Sequence, residues 1–185
     1  MNTALIMEHA HMVKLSKRMS KALRHDPARI GLTLEPGGWV PVADLVAALG
    51  VDRADIDIVV AGNDKKRFAI VRGADGVERI RASQGHSVPV DLGLVPVEPP
   101  ERLYHGTNAA AVPSIEDTGL NRGGRHHVHL SVDEPTARRV GARRGGPVVI
   151  LSVDAGAMAR DGHEFYRSDN GVWLTDEVPP RFLRV

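Results

Sequence analysis

The feature that most limits what this chain can fold into is the stretch from residue 87 to residue 101, SVPVDLGLVPVEPPE, with its four prolines. Proline fixes φ and lacks the amide hydrogen that a helix or a sheet ladder needs, so no regular element runs through such a stretch. It reads as a linker. The organisation expected is a first lobe over 1–87, a linker over 88–101 and a second lobe over 102–185. A chain of 185 residues, 42% hydrophobic, suffices for one ordinary domain or two small ones.

The two halves differ in texture. Over 8–25, Met12, Leu15, Met19 and Leu23 recur at helical spacing, and Asp26-Pro27 ends the helix because a residue before proline is pushed out of the helical region. Pro36-Gly37-Gly38 is a turn, and two more helices are expected over Val42–Leu49 and from about Arg53 to Ala61. Arg67 to Val71 and Val77 to Arg81 flank Ala74-Asp75-Gly76 as a hairpin. Three helices and then a hairpin is the order of a winged-helix domain, a unit that by itself names no function. The second half mixes short strands with helices: Leu103 to His105, a helix about Asn108 to Asp117 before Gly119, then His126 to Ser131, a helix over Glu134 to Arg143 and an apolar strand over Val148 to Val153. Phe165 to Ser168 and Val172 to Thr175 flank Asp169-Asn170-Gly171, a hairpin signal. The fold class expected is α+β.

Composition excludes several function classes. Without cysteine there are no disulfides, thiolate zinc sites or cysteine nucleophiles, and a reducing cytoplasm is the default location. No apolar run reaches the ~18 residues of a membrane span, and Met1 to Met12 lacks a signal peptide's basic start. Of the 24 cationic residues only five are lysines (Lys14, Lys17, Lys21, Lys65 and Lys66), and the rest are arginines. Arg offers phosphate a planar fork and stays charged when partly buried. With 3 Phe, 2 Tyr and 2 Trp, base stacking is a poor mode of nucleic-acid binding for this chain.

Three places carry candidate chemistry. Arg24 and His25 stand at the end of the first helix, either as C-terminal capping cations or as an anion site with a group that titrates near neutrality. Lys65-Lys66-Arg67 opens the hairpin, as a solvated loop or as a rigidly aimed Arg. If 126–131 is a strand, His127 and His129 share a face with Arg125. His-x-His on a strand can chelate zinc, but no third ligand is marked, and packed or hydrogen-bonded histidines are the plainer reading. Asp133-Glu134 suits a helix N-terminus. There is neither a phosphate-cradling glycine fingerprint nor a nucleophile elbow, so any NAD site is not Rossmann-like.

Seven strings then occur in a fixed order: Leu23-Arg24-His25, Gly38-Trp39-Val40, Asn63-Asp64-Lys65-Lys66-Arg67-Phe68, Arg81-Ala82-Ser83-Gln84-Gly85-His86-Ser87, Tyr104-His105-Gly106-Thr107, Arg125-His126-His127-Val128-His129-Leu130-Ser131 and Asn170-Gly171-Val172-Trp173-Leu174-Thr175. In this order they resemble the RNA 2'-phosphotransferases, the KptA type in bacteria, from about residue 14 to residue 183. The resemblance implies an N-terminal winged-helix lobe that binds RNA and a C-terminal lobe of the ADP-ribosyltransferase fold. It implies removal of an internal RNA 2'-phosphate, as met in tRNA splicing and RNA repair, with NAD as co-substrate and no metal. The 2'-phosphate attacks the nicotinamide ribose C1'', nicotinamide leaves, and a 2'-phospho-ADP-ribosylated RNA results. The ribose 2''-hydroxyl then attacks the phosphate, giving 2'-OH RNA and ADP-ribose 1'',2''-cyclic phosphate.

By motif, the family's essential set maps onto Arg24, His25, Arg67 and Arg125. Its NAD pocket maps onto His105, Gly106, Thr107, Gly119, Leu120, His129 and Ser131. His25 would protonate the departing RNA 2'-oxygen or simply orient the phosphate. Val172 stands where many ADP-ribosyltransferases carry Glu, which argues against a protein-modifying enzyme that needs the acid. The partners implied are NAD and RNA with an internal 2'-phosphate, with no membrane, and a monomer is expected. Two other readings stay open: an ADP-ribosyltransferase acting on terminal nucleic-acid phosphates, and a winged-helix regulator that senses NAD or ADP-ribose without turnover.

Overall fold

A computed structural model describes residues 3–62 and 66–185; Met1, Asn2 and the motif residues Asn63, Asp64 and Lys65 lie outside the described residues. The protein is a mixed α and β chain with six α-helices and several antiparallel sheets among the described residues. Among them no helix is long and apolar enough to cross a membrane. Two compact units divide the chain, Met1–Gly93 and Leu94–Val185.

The first unit opens with α1 (Thr3–Arg24), which begins earlier than the expected residue 8 and stops one residue before His25. Its stripe is the core seam: Leu15, Met19 and Leu23 are buried and Met12 packs beside them. After it come β1 (Val40–Pro41), α2 (Val42–Leu49), α3 (Arg53–Ala61), β2 (Phe68–Arg72) and β3 (Glu78–Ala82). The hairpin stands as expected, with Ile70 opposite Ile80, and β1 adds an edge strand that periodicity cannot reveal, giving the order β1-β3-β2. Leu45, Ile56, Phe68 and Ile80 close the core against α1.

The proline-rich stretch has no regular structure, yet it is held down at both ends. Ser87 and Val88 donate their amides to the Arg24 carbonyl, and the Gly37 amide donates to the Asp91 carbonyl, all within the first unit. In the second unit the Val97 amide donates to the Phe165 carbonyl.

The second unit is built on β4 (Arg102–Asn108), α4 (Val112–Thr118), β5 (Leu120–Asn121), β6 (Val128–Leu130), α5 (Glu134–Gly141), β7 (Val148–Asp154), α6 (Ala155–Arg160), β8 (Phe165–Arg167), β9 (Trp173–Thr175), β10 (Glu177–Val178) and β11 (Leu183–Arg184). Two three-stranded sheets, β11-β7-β4 and β6-β9-β8, share a core that includes Leu103, Leu130, Leu151, Phe165 and Trp173. A two-stranded sheet pairs β5 with β10. The first two sheets are joined by one isolated bridge, in which Tyr104 and Ser131 exchange both amide-to-carbonyl bonds at 2.8 Å.

One expectation is corrected here. The strand read over His126 to Ser131 is only Val128–Leu130, and Arg125, His126 and His127 lie in a bend after Gly123-Gly124. Gly123 takes φ 61, a left-handed turn conformation that breaks the extended run. Strand alternation therefore does not put Arg125, His127 and His129 on one face.

Candidate active site

In the first unit, Arg24, His25 and Arg67 come together. The Pro27 restriction stops α1 at Arg24, and the amides of His25 and Asp26 both fold back onto the Lys21 carbonyl at 3.0 Å. The half-buried Arg24 guanidinium donates to the Arg67 carbonyl at 3.4 Å and lies 5.9 Å from the ring centroid of buried Phe68. The same Arg67 carbonyl accepts the Ser83 amide at 2.9 Å, and the Ser83 hydroxyl donates to the Lys66 carbonyl at 2.7 Å. Arg67 thus enters β2 from a clamped backbone. His25 is exposed, and its Nδ1 lies 2.9 Å from the Ser87 hydroxyl in a hydrogen bond. Arg24 thus meets Arg67 through the backbone carbonyl of Arg67, and the guanidinium of an arginine holds its charge without titrating.

In the second unit, His105, His129, Ser131 and Arg125 gather where the two sheets meet. His105 Nδ1 donates to the His129 carbonyl at 3.0 Å. A carbonyl only accepts, so Nδ1 carries the hydrogen, and a neutral His105 presents Nε2 as an acceptor. Arg125 Nη1 donates to His129 Nδ1 at 3.2 Å, which fixes the opposite tautomer, with the hydrogen of His129 on Nε2. The corner therefore combines two imidazoles of opposite tautomer with a guanidinium. That set suits the paired hydroxyls of a ribose and an adjoining anion. Thr107 is buried at the same end of β4, two residues on from His105 and on its face.

Other assigned positions are shaped by packing. Gly106 faces α5, and a Cβ there would strike the Ala137 carbonyl. Gly119 ends α4 at φ 80, where a Cβ would strike the Val178 carbonyl. Leu120 is a core side chain in β5. Leu120 pairs with Val178 of β10, directly after Gly119 at the end of α4.

His127 parts company with His129. Its ring lies 5.4 Å from the Tyr166 ring at a tilt of 58°, its Nε2 is 4.0 Å from Asp176, and burial holds its pKa below the usual imidazole value despite that carboxylate. Among the described residues no three His, Cys, Asp or Glu side chains gather as a metal would require. Asp133 does cap α5: its carboxylate accepts the Thr136 amide at 2.7 Å and the Thr136 hydroxyl at 3.0 Å, which holds it below the usual carboxylate range. Sequence reasoning missed Ser87. It closes the motif Arg81 to Ser87, but nothing in that string says that its hydroxyl meets an imidazole 62 positions away.

The model of the RNA 2'-phosphotransferase, Tpt1 / KptA family matches residues 10–177. The chain belongs to this family. It is 58% identical to a probable RNA 2'-phosphotransferase of Streptomyces griseus, over 96% of this chain and 98% of that one. A protein of the same description from Trichormus variabilis is 53% identical, over 97% and 99%. Another, from Rhizobium leguminosarum, is 53% identical over 92% of both chains. The matched span takes in both units, so the arginine–histidine corner of the first and the histidine corner of the second both fall inside the family's own extent.

Proposed function

We propose that this protein removes an internal 2'-phosphate from RNA by transferring it to NAD, releasing 2'-hydroxyl RNA, ADP-ribose 1'',2''-cyclic phosphate and nicotinamide. The observation that carries the reading is the corner of Arg24, Arg67 and His25, held by backbone clamps at the end of α1 and the start of β2. A phosphomonoester carries close to two negative charges near neutral pH, and transfer concentrates charge on phosphorus. Preorganised guanidiniums stabilise that charge without reorganising.

In this reading the first unit is a winged-helix lobe with the β2–β3 hairpin as its wing, and the second has the ADP-ribosyltransferase fold. Their working limits are 1–87 and 102–185, joined by 88–101. Arg24 and Arg67 hold the phosphate, and Arg125 of the second unit serves the transfer. His25 supplies an imidazole able to pass a proton to the departing RNA 2'-oxygen as that oxygen leaves with the P–O electron pair. NAD supplies the electrophilic ribose carbon and the hydroxyl that accepts the phosphate. His105 and His129, with their complementary tautomers, orient the ribose, and Thr107 and Ser131 line the same end. Nicotinamide is a good leaving group, so positioning matters more than acid catalysis in the first step. The protein works without a metal, as a monomer, in the cytoplasm.

One incubation tests this: full-length protein, NAD and a short RNA with a single internal 2'-phosphate, no metal added, with RNA and nucleotide products followed by mass. RNA lighter by one phosphate together with ADP-ribose cyclic phosphate is the expected result. RNA that only gains ADP-ribose would indicate a transferase that stops after the first step. Bound NAD with no nicotinamide released would indicate a sensor.

A further inference from the structure

We infer that Ser87 is the positioning residue for His25: its hydroxyl holds Nδ1, so that His25 meets the RNA 2'-phosphate through Nε2. The inference rests on the reading that His25 serves that phosphate. His25 lies just past the end of α1 and is exposed, so the helix does not fix its ring. An exposed side chain samples several rotamers, and freezing one at each encounter with substrate costs entropy.

Ser87 removes that freedom with two contacts from one residue. Its amide donates to the Arg24 carbonyl at 2.9 Å, and its Oγ lies 2.9 Å from His25 Nδ1. The backbone bond sets where the serine stands, and the short side chain has one torsion to place. The imidazole is therefore referenced to Arg24, whose guanidinium is in turn seated on the Arg67 carbonyl. Protonation keeps the arrangement intact. Imidazolium Nδ1–H donates to Ser87 Oγ, and the serine hydroxyl can donate onward to the Arg24 carbonyl, 3.5 Å away. A proton that His25 gives or takes then passes through Nε2, with Nδ1 engaged at each stage.

The test uses the full chain and the variants Ser87→Ala, Ser87→Thr and His25→Ala. Turnover of the 2'-phosphorylated RNA is measured with saturating NAD, and the ring nitrogens of His25 are followed by long-range 1H–15N NMR. Ser87→Ala keeps the backbone bond and changes an exposed side chain, so a folded protein is expected. Its kcat should fall on the order of 10-fold, as for loss of one hydrogen bond to a charged ring, while the RNA KM stays within about 2-fold. The His25 ring signals should move toward an averaged tautomer mixture. Ser87→Thr, which restores the hydroxyl, should recover most of the kcat and the wild-type spectrum. Wild-type kcat and unchanged ring signals in Ser87→Ala, with His25→Ala inactive, would overturn the inference and leave the catalytic reading of His25 standing. Wild-type turnover in His25→Ala would overturn that reading and the inference with it, leaving only a structural bond in the spectra.

Discussion

Gly106 of β4 lies against the Ala137 carbonyl of α5 with no room for a Cβ between them, and Gly141, one turn further along α5, closes on Gly106 from the same side. Two glycines thus let a helix rest directly on a strand. Gly106→Ala must lift α5 from β4, and overpacking of this kind destabilises by about 1–3 kcal/mol. Urea unfolding of the variant should show that loss. An unchanged midpoint would mean that α5 shifts at no cost.

Arg125 is exposed and donates to His129 Nδ1 from a bend outside the core, so its removal should spare the fold. Arg125→Ala should lower turnover on the order of 10²-fold, the usual loss for one charge-stabilising donor. On the proposed two-step transfer, RNA carrying ADP-ribose should accumulate, because charge on phosphorus builds up in the second step. Mass analysis of the RNA decides this, and wild-type turnover would remove Arg125 from the site.

Stability should respond to acid through His127. Burial holds this imidazole below its usual range in the folded protein, whereas the unfolded chain titrates at about 6.5. The unfolded state then binds more protons, so the stabilisation is complete above about pH 6.5 and fades as pH falls through the folded value. Urea midpoints taken at about pH 7.5 and about pH 5.5 should differ, and His127→Gln should narrow the difference. A variant with the wild-type pH slope would show that another group is responsible.

On the proposed reading, in which the first unit meets RNA through arginines and phosphates, binding should weaken steeply as salt rises, since the chain has few aromatic platforms. Fluorescence anisotropy across a salt series measures the slope. A flat response from low to high salt would rule out this electrostatic account.

What could be read from the sequence was local and periodic. The stripe Met12, Leu15, Met19 and Leu23 gave α1 its buried side, and the bounds of α2 and α3 agree with the reading because each ends at a glycine. The Asp169-Asn170-Gly171 turn between β8 and β9 carries its own signal. Elements defined by distant partners were silent. Strands β1, β5, β10 and β11 are two residues each, too short for any period. Helix α6 holds good helix formers but is only six residues long and carries Gly156, against which the Glu101 carboxylate lies, so its pattern is too short to read. At the site, residue types were legible and orientations were not. Alternation suggested one face for Arg125, His127 and His129, but the Gly123 turn sends His127 toward Tyr166 and lets Arg125 reach back to His129.

The lone rung between Tyr104 and Ser131 makes the second unit a pair of leaves on a short pin. His105 and Thr107 ride on one leaf, and His129 and Ser131 on the other. Among the described residues no further rung of the ladder ties these strands, but the bond from His105 Nδ1 to the His129 carbonyl and the shared core of Leu103, Leu130, Leu151, Phe165 and Trp173 also span the leaves. Parting the leaves would therefore break that rung, a side-chain bond and core packing together, and the exchange rates of the Tyr104 and Ser131 amides would report how rarely that happens.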